Sequence, residues 1–98
     1  MFNNQRYITR GIIADIPEML QAIMWHNIDS MEGEKDYLQV FVLEQSNNRG
    51  KPIQKIVHTQ ERPPYKKEIF IPFSKPVNAK IFVIDDQTHC TMLLASEY

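Results

Sequence analysis

Ile16-Pro17-Glu18-Met19-Leu20-Gln21-Ala22-Ile23-Met24-Trp25-His26-Asn27-Ile28-Asp29-Ser30-Met31 is followed shortly by Tyr37-Leu38-Gln39-Val40-Phe41-Val42-Leu43, and the change of hydrophobic period between them decides the fold class. In the first stretch Ile16, Leu20, Ile23, Met24, Ile28 and Met31 recur at steps of three and four, which predicts a helix over 16–31 with one wide apolar stripe. Asp15-Ile16-Pro17-Glu18 reads as its start. Asp15 is the expected N-cap, Glu18 stands in capping-box relation to it, and Pro17 lacks an N–H that would go unpaired there anyway. Gly33 is the expected stop. In the second stretch apolar residues fall on both faces, as expected of a central strand covered on two sides.

Working upstream, Arg6-Tyr7-Ile8-Thr9-Arg10-Gly11-Ile12-Ile13 is rich in β-branched and aromatic residues and predicts a strand. Gly11 within it marks a bulge or a close backbone approach. Downstream, Ser46-Asn47-Asn48-Arg49-Gly50 is turn chemistry, and Ile53 to Gln60 returns as the partner strand. Glu61-Arg62-Pro63-Pro64-Tyr65 is an extended connector, because two adjacent prolines remove two ladder donors. Lys67, Ile69, Ile71 and Phe73 share one face of the next strand, whose end Pro72 and Pro76 confine to an edge or a loop. Val77 to Ile84 is a further strand, Asp85-Asp86-Gln87-Thr88 a turn, and His89 to Ala95 the last strand, with Cys90, Met92 and Leu94 on one side. Short links between successive strands favour antiparallel pairing. The expected fold is therefore α+β: one N-terminal amphipathic helix packed on a mostly antiparallel sheet of about five or six strands, with curling into a partial barrel left open. Residues 1–98 are expected to form a single domain, since no repeat, low-complexity tract or linker divides them.

Composition bounds the function classes. At 98 residues, 43% hydrophobic and 23% charged, the chain has globular rather than disordered character. One cysteine excludes an internal disulfide framework and a thiolate zinc cluster. No apolar run approaches the ~20 residues of a membrane span, and Met1-Phe2-Asn3-Asn4-Gln5 lacks the apolar stretch of a signal peptide, so a cytoplasmic protein without a membrane partner is expected. Residues 1–48 carry a charge of −4 and residues 49–98 a charge of +3, within which the 49–80 stretch is +6.

Three functions follow from these patterns. The first is a non-enzymatic protein-interaction or adaptor module. It draws on Trp25, which projects away from the helical stripe, and on Arg62 and Tyr65 in the proline-marked segment. Trp25 is either an exposed anchor for a partner or a ring covered by a tail or loop. Edge strands also offer a route to a homodimer across a two-fold axis. The second is nucleic-acid binding through the basic 49–80 stretch, with Lys55, Lys66, Lys67 and Lys80 on phosphates and Tyr65, Phe70 or Phe73 stacking on bases. Against it, strand-edge lysines commonly guard against aggregation, and no nucleic-acid-binding signature accompanies them. The third is a small-molecule or enzymatic site near His58, Asp86, His89 and Cys90. Neighbours in a strand face opposite ways, however, so His89 and Cys90 should not meet, and Asp85-Asp86 reads as a turn that binds its own backbone. Asn27, inside the apolar stripe, reads as a satisfied buried hydrogen bond. No metal-ligand spacing, phosphate loop or dinucleotide fingerprint is present, so no cofactor, metal or catalytic residue is expected.

Several segments together carry a family resemblance: Arg6-Tyr7-Ile8-Thr9-Arg10-Gly11-Ile12, Asp36-Tyr37-Leu38-Gln39-Val40-Phe41, His58-Thr59-Gln60-Glu61-Arg62-Pro63-Pro64-Tyr65, Ala79-Lys80-Ile81-Phe82-Val83-Ile84-Asp85-Asp86 and the ending Thr88-His89-Cys90-Thr91-Met92-Leu93-Leu94-Ala95-Ser96-Glu97-Tyr98. The chain resembles the small Firmicutes proteins grouped as domain of unknown function 960, over almost its whole length. The resemblance implies a stand-alone cytoplasmic protein of low-GC Gram-positive bacteria. It implies no reaction, cofactor or partner, and no functional residue is carried over from it.

Overall fold

The two-sided apolar run becomes the centre of the molecule. In the computed structural model, which describes residues 1–98, it belongs to the strand β2 (Leu38–Asn48), which is hydrogen-bonded on both sides. Arg49 and Gly50 both take positive φ, as a type I′ turn requires, and lead into β3 (Lys51–Gln60). β4 (Tyr65–Pro72) follows the proline-bearing turn, then β5 (Ala79–Asp85) and β6 (His89–Leu94). With β1 (Gln5–Ile8) at one edge, the six-stranded sheet has the order β1-β6-β5-β2-β3-β4. Four of its pairings are antiparallel; β1 lies parallel to β6. The sheet is open between edges β1 and β4, so the partial barrel is not formed.

The helical part differs from the sequence expectation in three ways. The strand foreseen over Arg6–Ile13 stops at Ile8, and Arg10–Asp15 forms a short helix, α1. Local β-propensity gives way there to a tertiary cap. Thr9 is the N-cap, accepting from the Ile12 N–H, and the Glu97 carboxylate accepts from the Thr9 hydroxyl at 2.6 Å, the Gly11 N–H at 3.2 Å and the Leu94 N–H at 2.8 Å. A Cβ at Gly11 would lie 2.6 Å from that carboxylate, so the glycine marks a close approach rather than a bulge. Next, Asp15 is not an N-cap, because it closes α1. Pro17 disfavours helical backbone at the residue before it, Ile16 is extended, and α2 (Glu18–Asp29) starts with Pro17 as a cap that offers no side-chain bond. Finally, α2 ends at Ser30 rather than Gly33, which instead takes φ +83° in the following loop.

Alternation along the strands sorts the sheet into two faces. On one, Phe41, Leu43, Ile56, Ile81, Val83, Cys90 and Met92 pack against Leu20, Met24 and Ile28 of α2, Ile12 of α1, and Ile16 and Phe2. On the other, Leu38, Val40, Val42, Val57, Phe82, Ile84 and Leu93 are half-buried by their own neighbours and take no part in that core. β2 is thus covered on one side only, which corrects the expected two-sided cover: the chain supplies one helical layer, and that layer is spent on the first face. Among helical residues the contrast is sharp, with Leu20 of α2 at 0% exposure and Ile13 of α1 at 65%. Leu20→Ala is expected to cost about 2–5 kcal/mol and Ile13→Ala within about 0.5 kcal/mol, read from urea denaturation of each variant.

Candidate functional site

β2 and β3 place Gln39, His58 and Gln60 on the helix side, in line with Asn27 of α2. The Asn27 side-chain amide donates to His58 Nδ1 at 2.5 Å, and His58 Nε2 donates to Gln39 Oε1 at 2.6 Å. Gln39 in turn donates to Gln60 Oε1 at 2.7 Å, and Gln60 donates to the Glu34 and Pro63 carbonyls. This chain of bonds assigns a neutral imidazole protonated on Nε2. The ring stacks on Phe41 with centroids 4.2 Å apart and meets Tyr65 edge-on at 5.1 Å. Burial, aided by the nearby Lys67 charge, lowers the His58 pKa to about 4. Asn27 is therefore a satisfied buried hydrogen-bond donor, as its place in the stripe implied.

The groups proposed for chemistry do not converge. His58 on β3 and Cys90 on β6 are separated by β2 and β5, roughly 14 Å across the sheet. Burial and the Asp85 carboxylate push the Cys90 thiol up, away from thiolate character. Cys90 faces the core, whereas His89 faces the open side, its ring edge-on to Tyr7 at 5.3 Å and 3.2 Å from the Asp86 carboxylate. Asp86 accepts from the His89 and Thr88 N–H groups and the Thr88 hydroxyl, bonds that hold its carboxyl well below the usual range. Burial alone would raise the Asp85 carboxyl, but the Phe2 and Gln87 N–H groups outweigh it and keep the pKa low. Asp86 serves the turn alone, and Asp85 serves both the turn and the N-terminal segment. No group of three or more His, Cys, Asp or Glu is placed to hold a metal ion, and no helix is long and apolar enough to cross a membrane.

Trp25 is half-buried under Arg6, whose guanidinium lies 4.6 Å from the ring centroid and pairs with Asp29. β1 thus provides the cover over this ring. Tyr65 points to the helix side at the far edge of the sheet, and Arg62 lies in the exposed turn, where its N–H donates to Asp36. These three residues share no surface. Of the lysines, Lys55, Lys66 and Lys80 fall on the open face, whereas Lys67 shares the helix side with His58. Lys55 and Lys80 sit over Phe70 and Phe82, 5.8 and 5.7 Å from the ring centroids, and Lys66 pairs with Glu68.

The surface that sequence reasoning missed is the open face itself. Register places Phe82 between Val40 and Leu93, Ile84 between Leu38 and Thr91, and Val42 beside Val57. A cleft of about 300 Å3 at one end is lined by Leu38, Val40 and Thr59 together with Asp36 and Tyr37. Tyr98 sets its ring edge against Phe82 at 5.5 Å. The signal was present in Leu38-Gln39-Val40-Phe41-Val42-Leu43, whose apolar residues occupy both faces.

A family model described as "Staphylococcal protein of unknown function (DUF960)" matches residues 5–97. The chain is also similar to a protein of unknown function from Enterococcus faecalis, known from a crystal structure. The two superpose with a TM-score of 0.79 at 28% identity, over 98% of this chain and 92% of that one. No curated protein matches.

His58 gives a pH test. Its folded pKa of about 4 lies below the ordinary 6.5, so the unfolded chain binds the extra proton between those values. The associated stability is complete above about pH 6.5, declines as pH falls towards 4, and amounts to about 3 kcal/mol. In urea titrations at pH 7, 5 and 4, His58→Gln is expected to lose this slope while the unaltered chain keeps it.

Proposed function

The chain belongs to the DUF960 family, and from that premise we propose that it is a small, non-enzymatic interaction module of the cytoplasm whose contact surface is the uncovered face of the sheet. The supporting observation is a contiguous apolar surface on β6, β5, β2 and β3, made of Leu93, Phe82, Ile84, Leu38, Val40, Val42 and Val57, over which the chain lays no helix. Contiguous apolar surface rimmed by polar residues is a feature of interaction sites. Favouring interaction over catalysis, His58 and Cys90 lie on strands separated by β2 and β5, and His89 faces the opposite side of the sheet from Cys90. The absence of any nucleic-acid-binding signature in the sequence weighs against nucleic acid.

A photo-crosslinking residue introduced at Val42 is expected to give a discrete covalent adduct in living cells. The same residue at Met19, exposed on α2, is expected to give none. Absence of an adduct from Val42 would refute the interaction reading.

A further inference from the structure

We infer that the helix-side corner of the sheet that α2 leaves free is a binding site for a small primary amine with an apolar body. The site lies on the opposite side from the open face, so it stands apart from the interaction proposed there.

The cavity follows from how the strands end. β6 stops at Leu94, opposite Ile81, while β5 reaches back to Ala79 and β2 runs on to Asn48. The sheet is therefore stepped at this end. The connector from β4 must cross β3 and β2 to reach β5. It crosses on the helix side, where Gln54 accepts from the Val77 N–H at 2.8 Å and donates to the Val77 carbonyl at 3.1 Å. Asn78 then stands in for a neighbouring strand, its side-chain oxygen accepting from the Gln45 N–H at 2.8 Å. Between this crossover, the α1–α2 junction and the 3-10 turn Ala95–Glu97 lies a cavity of about 570 Å3. Small-molecule sites span roughly 300–1,000 Å3.

The walls are held in place by the chain itself. The Glu97 carboxylate ties the turn to α1 through Thr9 and Gly11, and Gln54 and Asn78 fix the crossover. A preformed site spares a ligand the cost of ordering it.

The lining sets the ligand chemistry. Ile16 is buried and Val77, Ala79 and Leu94 are half-buried, and together they make an apolar floor. Asp15, Gln45 and Ser96 are exposed around it, and none of these three side chains bonds to another group of the chain. Lys80 contributes to the wall, but its ammonium lies over Phe82 on the open face, 5.7 Å from the ring centroid. Asp15 is thus the formal charge left at the cavity, and an anion there would meet it with no cation to offset the repulsion. A carboxylate, a carboxamide oxygen and a hydroxyl are acceptors for the three donors of a primary ammonium. The floor suits hydrocarbon attached to that ammonium.

Phenethylamine is the probe, titrated into the isotope-labelled full chain at about pH 7, where it is protonated, and followed by amide NMR shifts. Saturable shifts are expected at Asp15, Ile16, Ala79, Leu94 and Ser96, with a Kd on the order of 1 mM or tighter. Phenylacetate carries the same ring and the opposite charge, and is expected to bind weaker on the order of ten-fold. Asp15→Asn should weaken phenethylamine on the order of ten-fold, and Asp15→Lys should reverse the preference, so that phenylacetate binds the tighter. Asp15 is exposed, and an amide spectrum unchanged away from α1 checks that each variant keeps the fold. The proposal is overturned by an absence of saturable shifts at about 10 mM phenethylamine, by shifts confined to the open face, or by equal binding of the two probes to the unaltered chain. An Asp15→Asn variant that binds phenethylamine undiminished overturns it as well. The Val42 adduct reads the other side of the sheet, so the two proposals fail separately.

Discussion

One twelve-residue helix, about 18 Å long, can shield one face of a six-stranded sheet and no more. The arrangement of the molecule follows from how that single layer is used. Leu20, Met24 and Ile28 take the centre of the helix-side face, and Phe2, Ile12 and Ile16 extend the cover towards β5 and β6. Arg6 completes it by lying across Trp25, so the short parallel strand β1 is tied to the helix as well as to β6. Nothing of comparable size remains for the other face, where apolar side chains alternate into β2 and β5 just as they do on the covered side. A strand with hydrocarbon on both faces and a helix on one is incomplete as a burial problem.

The covered face is not wholly apolar, and its polar members have a common task. Gln60 holds the loop before β2 and the turn before β4, through the Asp36 N–H and the Glu34 and Pro63 carbonyls. Gln54 holds the Val77 backbone by both its N–H and its carbonyl. Glutamine suits this work because one carboxamide both donates and accepts. His58 joins the same scheme through Gln39 and Asn27, which fixes the register of α2 on the sheet. The buried polar groups thus anchor connectors that the small apolar core leaves unsupported, and a histidine kept neutral in that chain is a structural part rather than a reactive one.

Most of the sheet was legible in the sequence because its signals are local. Asn48-Arg49-Gly50 specifies its hairpin through two positive φ angles, Pro63-Pro64 excludes a ladder, and Asp86 closes its turn with its own carboxylate. The alternation of Cys90 and Met92 against His89 was likewise readable from a period of two. What failed was non-local. The helix at Arg10–Asp15 depends on Glu97, more than eighty positions away in the chain, and no property of Gly11-Ile12-Ile13 announces that carboxylate. The parallel pairing of β1 depends in the same way on where β6 ends up. The cover over Trp25 comes from Arg6, which composition alone would leave in solvent.

The open face was legible and misread for a single reason. A hydrophobic pattern on both sides of a strand is what cover on two sides produces, but the pattern does not say that this chain supplies both covers. Assigning both covers to the same 98 residues assumes a second layer, and the chain has no second long helix to provide it. Once that assumption is dropped, the apolar residues of β2 and β5 are an uncovered surface, the one on which the proposed interaction rests, rather than a second half of the core.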